Sequence, residues 1–226
     1  RLLGDIADAL APTGEPITAL HLGGGGFTLP RYIDATRPGS QHRILELDPV
    51  VLEVAREELG FETSEAMEVV IGDGRLGVGD EPAGRYDLVI GDAFSGVSVP
   101  WHLATTEFVA DVRRVMRPGG VYAVNVIDYP PLELARAQLA TFEEVFEHVA
   151  VLGPSSLVEG RSGGNVILLA SDEPLPAEAI LRANRAHGGS DVLLAEAASV
   201  AEFTADAPIL RDDYAPADQL LTRFSS

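Results

Sequence analysis

The stretch from residue 17 to residue 48 constrains the fold more than any other part of this chain. Residues 17–22 form a short apolar run that predicts a buried strand, and four consecutive glycines follow at once. Residues 27–33 predict a helix with Pro30 in its first turn, and residues 43–48 predict a second strand that ends in an acid. Glycines at such a turn let the backbone approach a ligand closely, and the acid can accept both hydroxyls of a ribose. The stretch therefore predicts a site for an adenosine-type cofactor.

Strands and helices alternate from residue 17 to about residue 170, which is typical of a parallel α/β sheet. Further strands are predicted at residues 68–71, 86–90, 121–127, 148–152 and 165–170, the last two as a closing antiparallel pair. Helices are predicted at residues 2–10, 49–59, 105–116, 132–145, 176–186 and 192–203. We therefore expect an α/β fold, a Rossmann-like doubly wound sheet of about seven strands, over residues 1–172. Residues 173–226 are expected to form a helical extension packed on the same domain.

Composition excludes several kinds of chemistry. The chain has no cysteine, which excludes disulfides, thiolate zinc sites and thiol nucleophiles. All 16 basic residues are arginine, which excludes lysine Schiff bases and the lysine of a phosphate-binding loop. The five histidines show no spacing typical of a metal site, so no metal is expected.

The net charge of −19 bears on the possible partners. Such a surface repels phosphate backbones, so we expect no nucleic acid, whereas a small cationic substrate is compatible with it. The alternative is an acidic surface that only aids solubility. No apolar run approaches the ~20 residues of a membrane span, and residues 1–12 lack the pattern of a signal peptide. We therefore expect no membrane partner and a cytoplasmic location.

Four predicted strand ends carry candidate cofactor-binding residues, and the carboxyl ends of parallel strands meet at one edge of a sheet. The candidates are Gly23, Gly24 and Gly25 for the cofactor's tail, Glu46 for the ribose, Asp73 and Gly74 for the adenine edge, and Asp92 for the reactive end. Each has a structural alternative, because glycine turns are common and each acid could belong to a turn or be exposed. Asp48 is expected to cap the next helix. The convergence at successive strand ends favours the functional interpretation.

Four motifs make the resemblance to a known family specific. Residues 22–31 (LGGGGFTLPR), 45–51 (LELDPVV), 70–74 (VIGDG) and 90–95 (IGDAFS) resemble, in that order, the glycine, ribose, adenine and catalytic motifs of the spermidine synthase family, the aminopropyltransferases. Residues 210–216 resemble the ending of its bacterial spermidine-synthase-like branch. The resemblance covers residues 17–127 and implies the class I S-adenosylmethionine-dependent methyltransferase fold.

The resemblance implies aminopropyl transfer, with decarboxylated S-adenosylmethionine bound through Gly23, Gly25, Glu46, Asp73 and Gly74. Asp92 would hold and deprotonate the attacking amine, which must be neutral to act as a nucleophile. The implied partner is a small cationic amine, and members of the family are commonly homodimers.

Three features depart from the family's pattern. The glycine turn lacks the family's aspartate, Ser95 stands where the family has a second loop aspartate, and the family's N-terminal β-hairpin domain is expected to be absent. Two alternatives therefore stay open. One is a methyltransferase, because the carboxylate of intact S-adenosylmethionine favours a turn without an acid. The other is a non-catalytic nucleoside-binding or scaffolding domain.

Several further residues are candidates for the substrate pocket because they lie near the predicted strand ends. Besides Ser95, these are Trp101 and His102 after the Asp92 loop and Tyr129 after the fifth strand. Asp212, Asp213 and Tyr214 in the tail are candidates to reach the pocket in place of the missing acids. The alternative for each is ordinary packing.

Overall fold

The structure, a computed structural model, describes residues 1–94 and 99–221 of the chain. Within these ranges one sheet contains eight strands: Thr18–Leu22 (β1), Gln41–Glu46 (β2), Met67–Ile71 (β3), Tyr86–Gly91 (β4), Met116–Asp128 (β5), His148–Gly153 (β6), Gly164–Ser171 (β7) and Val192–Leu194 (β8). Their order across the sheet is β3-β2-β1-β4-β5-β7-β6-β8. The first five in this order pair in parallel, and the remaining pairings are antiparallel.

Helices cover both faces of the sheet. They are Leu2–Ala9 (α1), Thr28–Thr36 (α2), Pro49–Leu59 (α3), Gly74–Asp80 (α4), Thr106–Val115 (α5), Glu133–Glu143 (α6), Ser155–Val158 (α7), Ala177–Ala186 (α8), Ala197–Phe203 (α9) and Ala217–Leu220 (α10), with a 3₁₀ helix at Trp101–Leu103. On one face, buried residues of α1, α2 and α8 share a core with Ala19 of β1 and Leu88 of β4. On the other face, α5 and α6 pack on the sheet. Burial from both sides explains why β5 has an almost continuous apolar run at 121–124.

The order of the strands fixes where a ligand can bind. β1 lies between β2 and β4, and the chain runs outward to β3 before it crosses back to β4. In sheets of this kind, the ligand crevice lies beyond the carboxyl ends of the strands at this point of reversal. The crevice must therefore be built from the segments that follow β1, β2, β3 and β4.

The predicted Rossmann-like fold is confirmed, but the number of strands is eight rather than about seven. The additional strand corrects the expectation of a helix over residues 192–203, since Val192–Leu194 is β8 and the helix there begins at Ala197. Val192, Leu193 and Leu194 pair with the edge of β6 in antiparallel register. The alanine-rich sequence favours a helix locally, and the pairing with β6 overrides that preference.

Helix α4 was not predicted, because Gly74, Gly77 and Gly79 lower the helix propensity of this segment. Gly77 allows close packing on Leu45, because a Cβ atom there would lie 2.6 Å from Cδ1 of Leu45 and that side chain would have to shift. In residues 1–94 and 99–221, no helix combines the length and the apolar character needed to span a lipid bilayer.

Candidate active site

The glycine turn joins β1 to α2 and passes directly beside the end of β4. Gly23 has φ +96°, and a Cβ atom at this position would lie 2.6 Å from the backbone oxygen of Asp92. The position therefore requires glycine for its conformation and for the close approach of two backbones. The N–H of Gly23 donates to the Leu45 carbonyl at 2.8 Å, and the N–H of Asp92 donates to the Leu22 carbonyl at 2.9 Å. Backbone contacts thus tie the turn to the strands on both sides of β1.

Glu46 ends β2 and is buried, with an exposed fraction of 7%. Its Oε2 accepts from the Gly24 N–H at 2.7 Å, and its Oε1 accepts from the Asp48 N–H at 2.9 Å. Each carboxylate oxygen has a second lone pair that remains available to a ligand hydroxyl. Asp48 itself caps α3 through the Val50 N–H at 2.9 Å, as predicted. Glu46 therefore holds the glycine turn and keeps capacity for two further hydrogen bonds.

Asp73 lies two residues after the end of β3, and its two carboxylate oxygens have different partners. Its Oδ1 caps α4, accepting from the N–H groups of Arg75 at 2.8 Å and Leu76 at 3.1 Å. Its Oδ2 lies 3.3 Å from Nε2 of His102. The alternative for Asp73 was an ordinary turn residue. In the structure one of its oxygens caps α4, which was not predicted, and the other faces Nε2 of His102.

These residues surround one cavity of about 300 Å³, which we call the strand-end cleft. Its polar lining consists of Gly23, Gly25, Glu46, Asp73, Gly74, Asp92 and His102, and its apolar lining includes Leu22, Leu45 and Leu103. The structure therefore brings together the predicted acids of three strand ends and most of the predicted glycines. Gly24 contributes through its N–H bond to Glu46.

Asp92 follows β4, is exposed and lines two cavities. The second has a volume of about 570 Å³ and lies against α1, α2 and the β5–β7 pair; we call it the α1–α2 cavity. Oδ1 of Asp92 accepts a hydrogen bond from Nδ2 of Asn125 on β5 at 2.8 Å. Among residues 1–94 and 99–221, no group donates a hydrogen bond to Oδ2 of Asp92. Within this part of the chain, Asn125 therefore holds one carboxylate oxygen, and Asp92 lines both cavities.

Several residues predicted for the substrate pocket line neither cavity. Trp101 is half exposed, and its ring packs edge-on against the ring of His102 at 5.7 Å between centroids. Tyr129 packs on the main core, with its ring over Gly163. Asp213 and Tyr214 are exposed in the turn at 211–214. Ser95 lies outside the described residues. Of the predicted substrate-pocket residues that the structure describes, it therefore places only His102 at a cavity.

Asp212, expected as a possible replacement acid in the pocket, lines neither cavity and serves as a partner for Arg75. Its two oxygens accept from Nη1 and Nη2 of Arg75 at 2.7 and 2.6 Å, and the Thr105 hydroxyl donates to Oδ1 at 2.8 Å. The Arg75 guanidinium lowers the pKa of Asp212 below its usual range. Arg75 also donates to the carbonyl of His102 at 3.1 Å. The tail is thereby attached to the segment that lines the cleft.

Two asparagines were missed by sequence reasoning. Asn125 lies within the apolar run of β5, and Asn165 begins the apolar run of β7. Nδ2 of Asn165 donates to Oδ1 of Asn125 at 3.0 Å. A lone amide inside an otherwise apolar strand was the available signal for Asn125, whereas its pairing with Asn165 depends on the register of two distant strands.

A buried pair of histidines lies beneath the glycine turn. Nε2 of His21 on β1 lies 3.1 Å from Nδ1 of His42 on β2. Burial, together with the neighbouring ring, lowers the pKa of His21 to about 3, and burial lowers the pKa of His42 to about 4. Both buried side chains are therefore neutral near pH 7.

The chain is similar to curated proteins of two kinds. The polyamine aminopropyltransferase of Vibrio vulnificus is 32% identical over 139 residues, which are 60% of this chain and 44% of that protein. The human eEF1A lysine and N-terminal methyltransferase is 32% identical over 142 residues, 58% of this chain and 20% of that protein. The chain thus spans less than half the length of these curated relatives. No family model matches the chain.

A solved structure extends the similarity over almost the whole chain. The crystal structure of a probable spermidine synthase from Corynebacterium glutamicum superposes with a TM-score of 0.82 and 31% sequence identity. The matched region covers 93% of this chain and 78% of that one. On this identity and coverage, the chain belongs to the spermidine synthase family.

Proposed function

We propose that this chain transfers an aminopropyl group from decarboxylated S-adenosylmethionine to an amine, with Asp92 as the general base. The observation that carries the proposal is the position of Asp92 at the junction of two cavities. One cavity has the acids and glycines that suit a nucleoside, and the other is large enough for a separate acceptor. A transferase needs both ligands to meet at one group, and Asp92 is that group.

The strand-end cleft suits the nucleoside half of the cofactor. The free lone pairs of Glu46 can accept the two ribose hydroxyls, and Asp73 can accept from the exocyclic amine of adenine. Leu22, Leu45 and Leu103 provide apolar surface for the base. Gly25 has φ +50° and open space at its Cβ position, so the turn can lie close to the tail of the ligand.

The chemistry required of Asp92 is the removal of one proton. The cofactor supplies an electrophilic carbon beside its sulfonium. The nitrogen of the amine bonds to that carbon, and the carbon–sulfur bond breaks with its electron pair to sulfur, which leaves methylthioadenosine. The nitrogen gives up one proton, and Oδ2 of Asp92, which has no partner among the described residues, can accept it. The hydrogen bond from Asn125 orients the carboxylate for this step.

Methyl transfer is the second candidate, and one feature favours it. The glycine turn contains no acid, so it does not repel the carboxylate of intact S-adenosylmethionine. The similarity to the human eEF1A lysine and N-terminal methyltransferase supports the same alternative. The two reactions would share the strand-end cleft and differ in the carbon that is transferred.

Calorimetric titration with the intact and the decarboxylated cofactor, combined with a product assay, tests the proposal. We expect the decarboxylated form to bind more tightly, and incubation of it with a panel of primary amines to release methylthioadenosine and an aminopropylated amine. Preference for the intact form, with a methylated amine as the product, would transfer the assignment to methyl transfer. Failure to bind either form or methylthioadenosine would refute the nucleoside cleft itself.

A further inference from the structure

The α1–α2 cavity contains a chain of three hydrogen-bonded side chains, from β7, from β5 and from the residue that follows β4. Asn165 of β7 donates to Asn125 of β5 at 3.0 Å, and Asn125 donates to Asp92 at 2.8 Å. Asn125 thus presents its NH₂ to Asp92 and its oxygen to Asn165. Asn165, which is exposed in the cavity, keeps one N–H and its carbonyl oxygen for a ligand.

The cavity is poor in negative charge, although the chain as a whole carries −19. Among its described lining residues, Asp92 is the only acid, and Arg1 and His187 are basic. The other polar lining is neutral and consists of Thr28, Tyr32, Asn125 and Asn165, while Leu29 and Ile167 provide apolar surface.

The acids that touch the basic lining residues already have partners. Asp191 pairs with Arg1 and accepts from Asn184 at 2.9 Å. Asp5 is fully buried and lies 2.7 Å from Nδ1 of His187. Asp8 accepts from the Tyr32 hydroxyl at 2.6 Å. None of these carboxylates lines the cavity, so none is placed to receive a cation within it.

A diamine would fit this cavity poorly. One nitrogen would meet Asp92, but the second, as an ammonium, would lose hydration without gaining a carboxylate and would lie in the same cavity as the Arg1 guanidinium. A hydroxyl, amide or ether oxygen at the same place would instead find the free N–H and carbonyl of Asn165.

We infer that the acceptor carries a single amine for Asp92 and a neutral, hydrogen-bonding far end, and that Asn165 is a residue that determines this specificity. The inference rests on the proposed function for the role of Asp92. It names the class of acceptor, an amino alcohol or a comparable neutral-tailed primary amine, rather than a diamine.

A pair of matched ligands tests the inference. 4-Aminobutan-1-ol and 1,4-diaminobutane have the same carbon chain and differ in the far group. Each is titrated calorimetrically into the full chain saturated with methylthioadenosine. We expect the amino alcohol to bind at least as tightly as the diamine. Tighter binding of the diamine, or no binding of either amine, overturns the inference.

The variant Asn165→Asp adds the missing carboxylate and tests the role of this residue. We expect it to raise the affinity for the diamine relative to the amino alcohol by about tenfold, the scale of one charge-assisted hydrogen bond. The control is Gln41→Glu, which adds the same charge at the amino end of β2, on the opposite edge of the sheet. An unchanged ratio in Asn165→Asp, or an equal change in Gln41→Glu, would refute the role of Asn165.

A different measurement, the release of methylthioadenosine, tests the proposed function. If methylthioadenosine is released from the decarboxylated cofactor and the diamine is the better acceptor, the transferase assignment stands and the inference is wrong. If no amine releases methylthioadenosine, the transferase assignment fails, and the affinity ratio still reports whether the cavity prefers a neutral far end.

Discussion

The strand-end cleft and the α1–α2 cavity meet at Asp92 but are built in different ways. In the cleft, the acids Glu46 and Asp73 accept from backbone N–H groups within three residues along the chain, and Glu46 also accepts from the Gly24 N–H of the adjacent glycine turn. In the cavity, the polar groups are amides and hydroxyls contributed by segments far apart in the chain. The proposed nucleoside site therefore depends largely on motifs at single strand ends, whereas the proposed acceptor site depends on how distant elements pack together.

Asp92→Asn gives the largest expected effect because Asp92 belongs to both regions. We expect turnover to fall about 100-fold or more, since the amide cannot accept the proton. The affinity for methylthioadenosine should stay within about twofold, because the nucleoside is held elsewhere. Methylthioadenosine release measures the first quantity and calorimetry the second. Asp80→Asn, at the exposed end of α4, is the matched control. Equal turnover in Asp92→Asn and wild type would exclude the role of general base.

Glu46→Gln tests the strand-end cleft independently of the α1–α2 cavity. We expect methylthioadenosine binding to weaken by ~1–3 kcal/mol, because a buried charged acceptor for the ribose hydroxyls is lost. Amine binding measured at saturating nucleoside should change little. Glu15→Gln, in the exposed loop before β1, serves as the control. Unchanged nucleoside affinity in Glu46→Gln would mean that the ribose is bound by other residues.

His21 on β1 and His42 on β2 form a buried pair, which should make the stability of the fold depend on pH. The pKa values of His21 and His42 are lowered by burial, so the unfolded chain binds protons more readily than the folded one as the pH falls below about 6.5. We expect the free energy of unfolding to decrease by about 3 kcal/mol between pH 6.5 and about pH 5, and to change little above pH 7.

Urea denaturation at several pH values measures this dependence. The double variant His21→Gln/His42→Gln should flatten it, whereas His148→Gln, outside the buried pair, should retain the wild-type slope. If the double variant keeps the full slope, other groups cause the pH dependence.

Asp212→Asn has the smallest expected effect and concerns the contact between the tail and Arg75. The ion pair with Arg75 is partly exposed, so we expect its loss to cost about 1 kcal/mol or less and to weaken methylthioadenosine binding a few-fold through the segment that carries His102. The neighbouring change Asp213→Asn is the control, because Asp213 is exposed and lines neither cavity. An equal loss in both variants would indicate a general effect of charge rather than the contact with Arg75.

The sequence was most informative where structure depends on neighbours in the chain. The glycine turn, Glu46 and Asp73 lie at the ends of predicted strands, and the parallel sheet brings such ends together whatever the details of packing. The same reasoning placed Asp92 beside them. The cap of α3 at Asp48 was also predictable, because its partner is two residues away.

Contacts over long separations could not be predicted in this way. Asn125 and Asn165 meet because β5 and β7 pair antiparallel with Ile127 opposite Asn165. Arg75 and Asp212 meet across 137 positions of the chain. Strand β8 exists because an edge of β6 was available to pair with it. In each case the decisive partner is distant, so local patterns carry no information about it.

The close approach of Gly23 to the Asp92 backbone has a consequence for engineering this chain. Because main-chain atoms set that approach, the spacing between the glycine turn and the backbone of the proposed general base does not depend on the side chains of the α1–α2 cavity. A library that varies Thr28 and Leu29 should therefore alter the preference for an acceptor while the proposed donor site stays unchanged. Position 23 should be kept out of such a library, because a Cβ atom there would lie 2.6 Å from the backbone oxygen of Asp92.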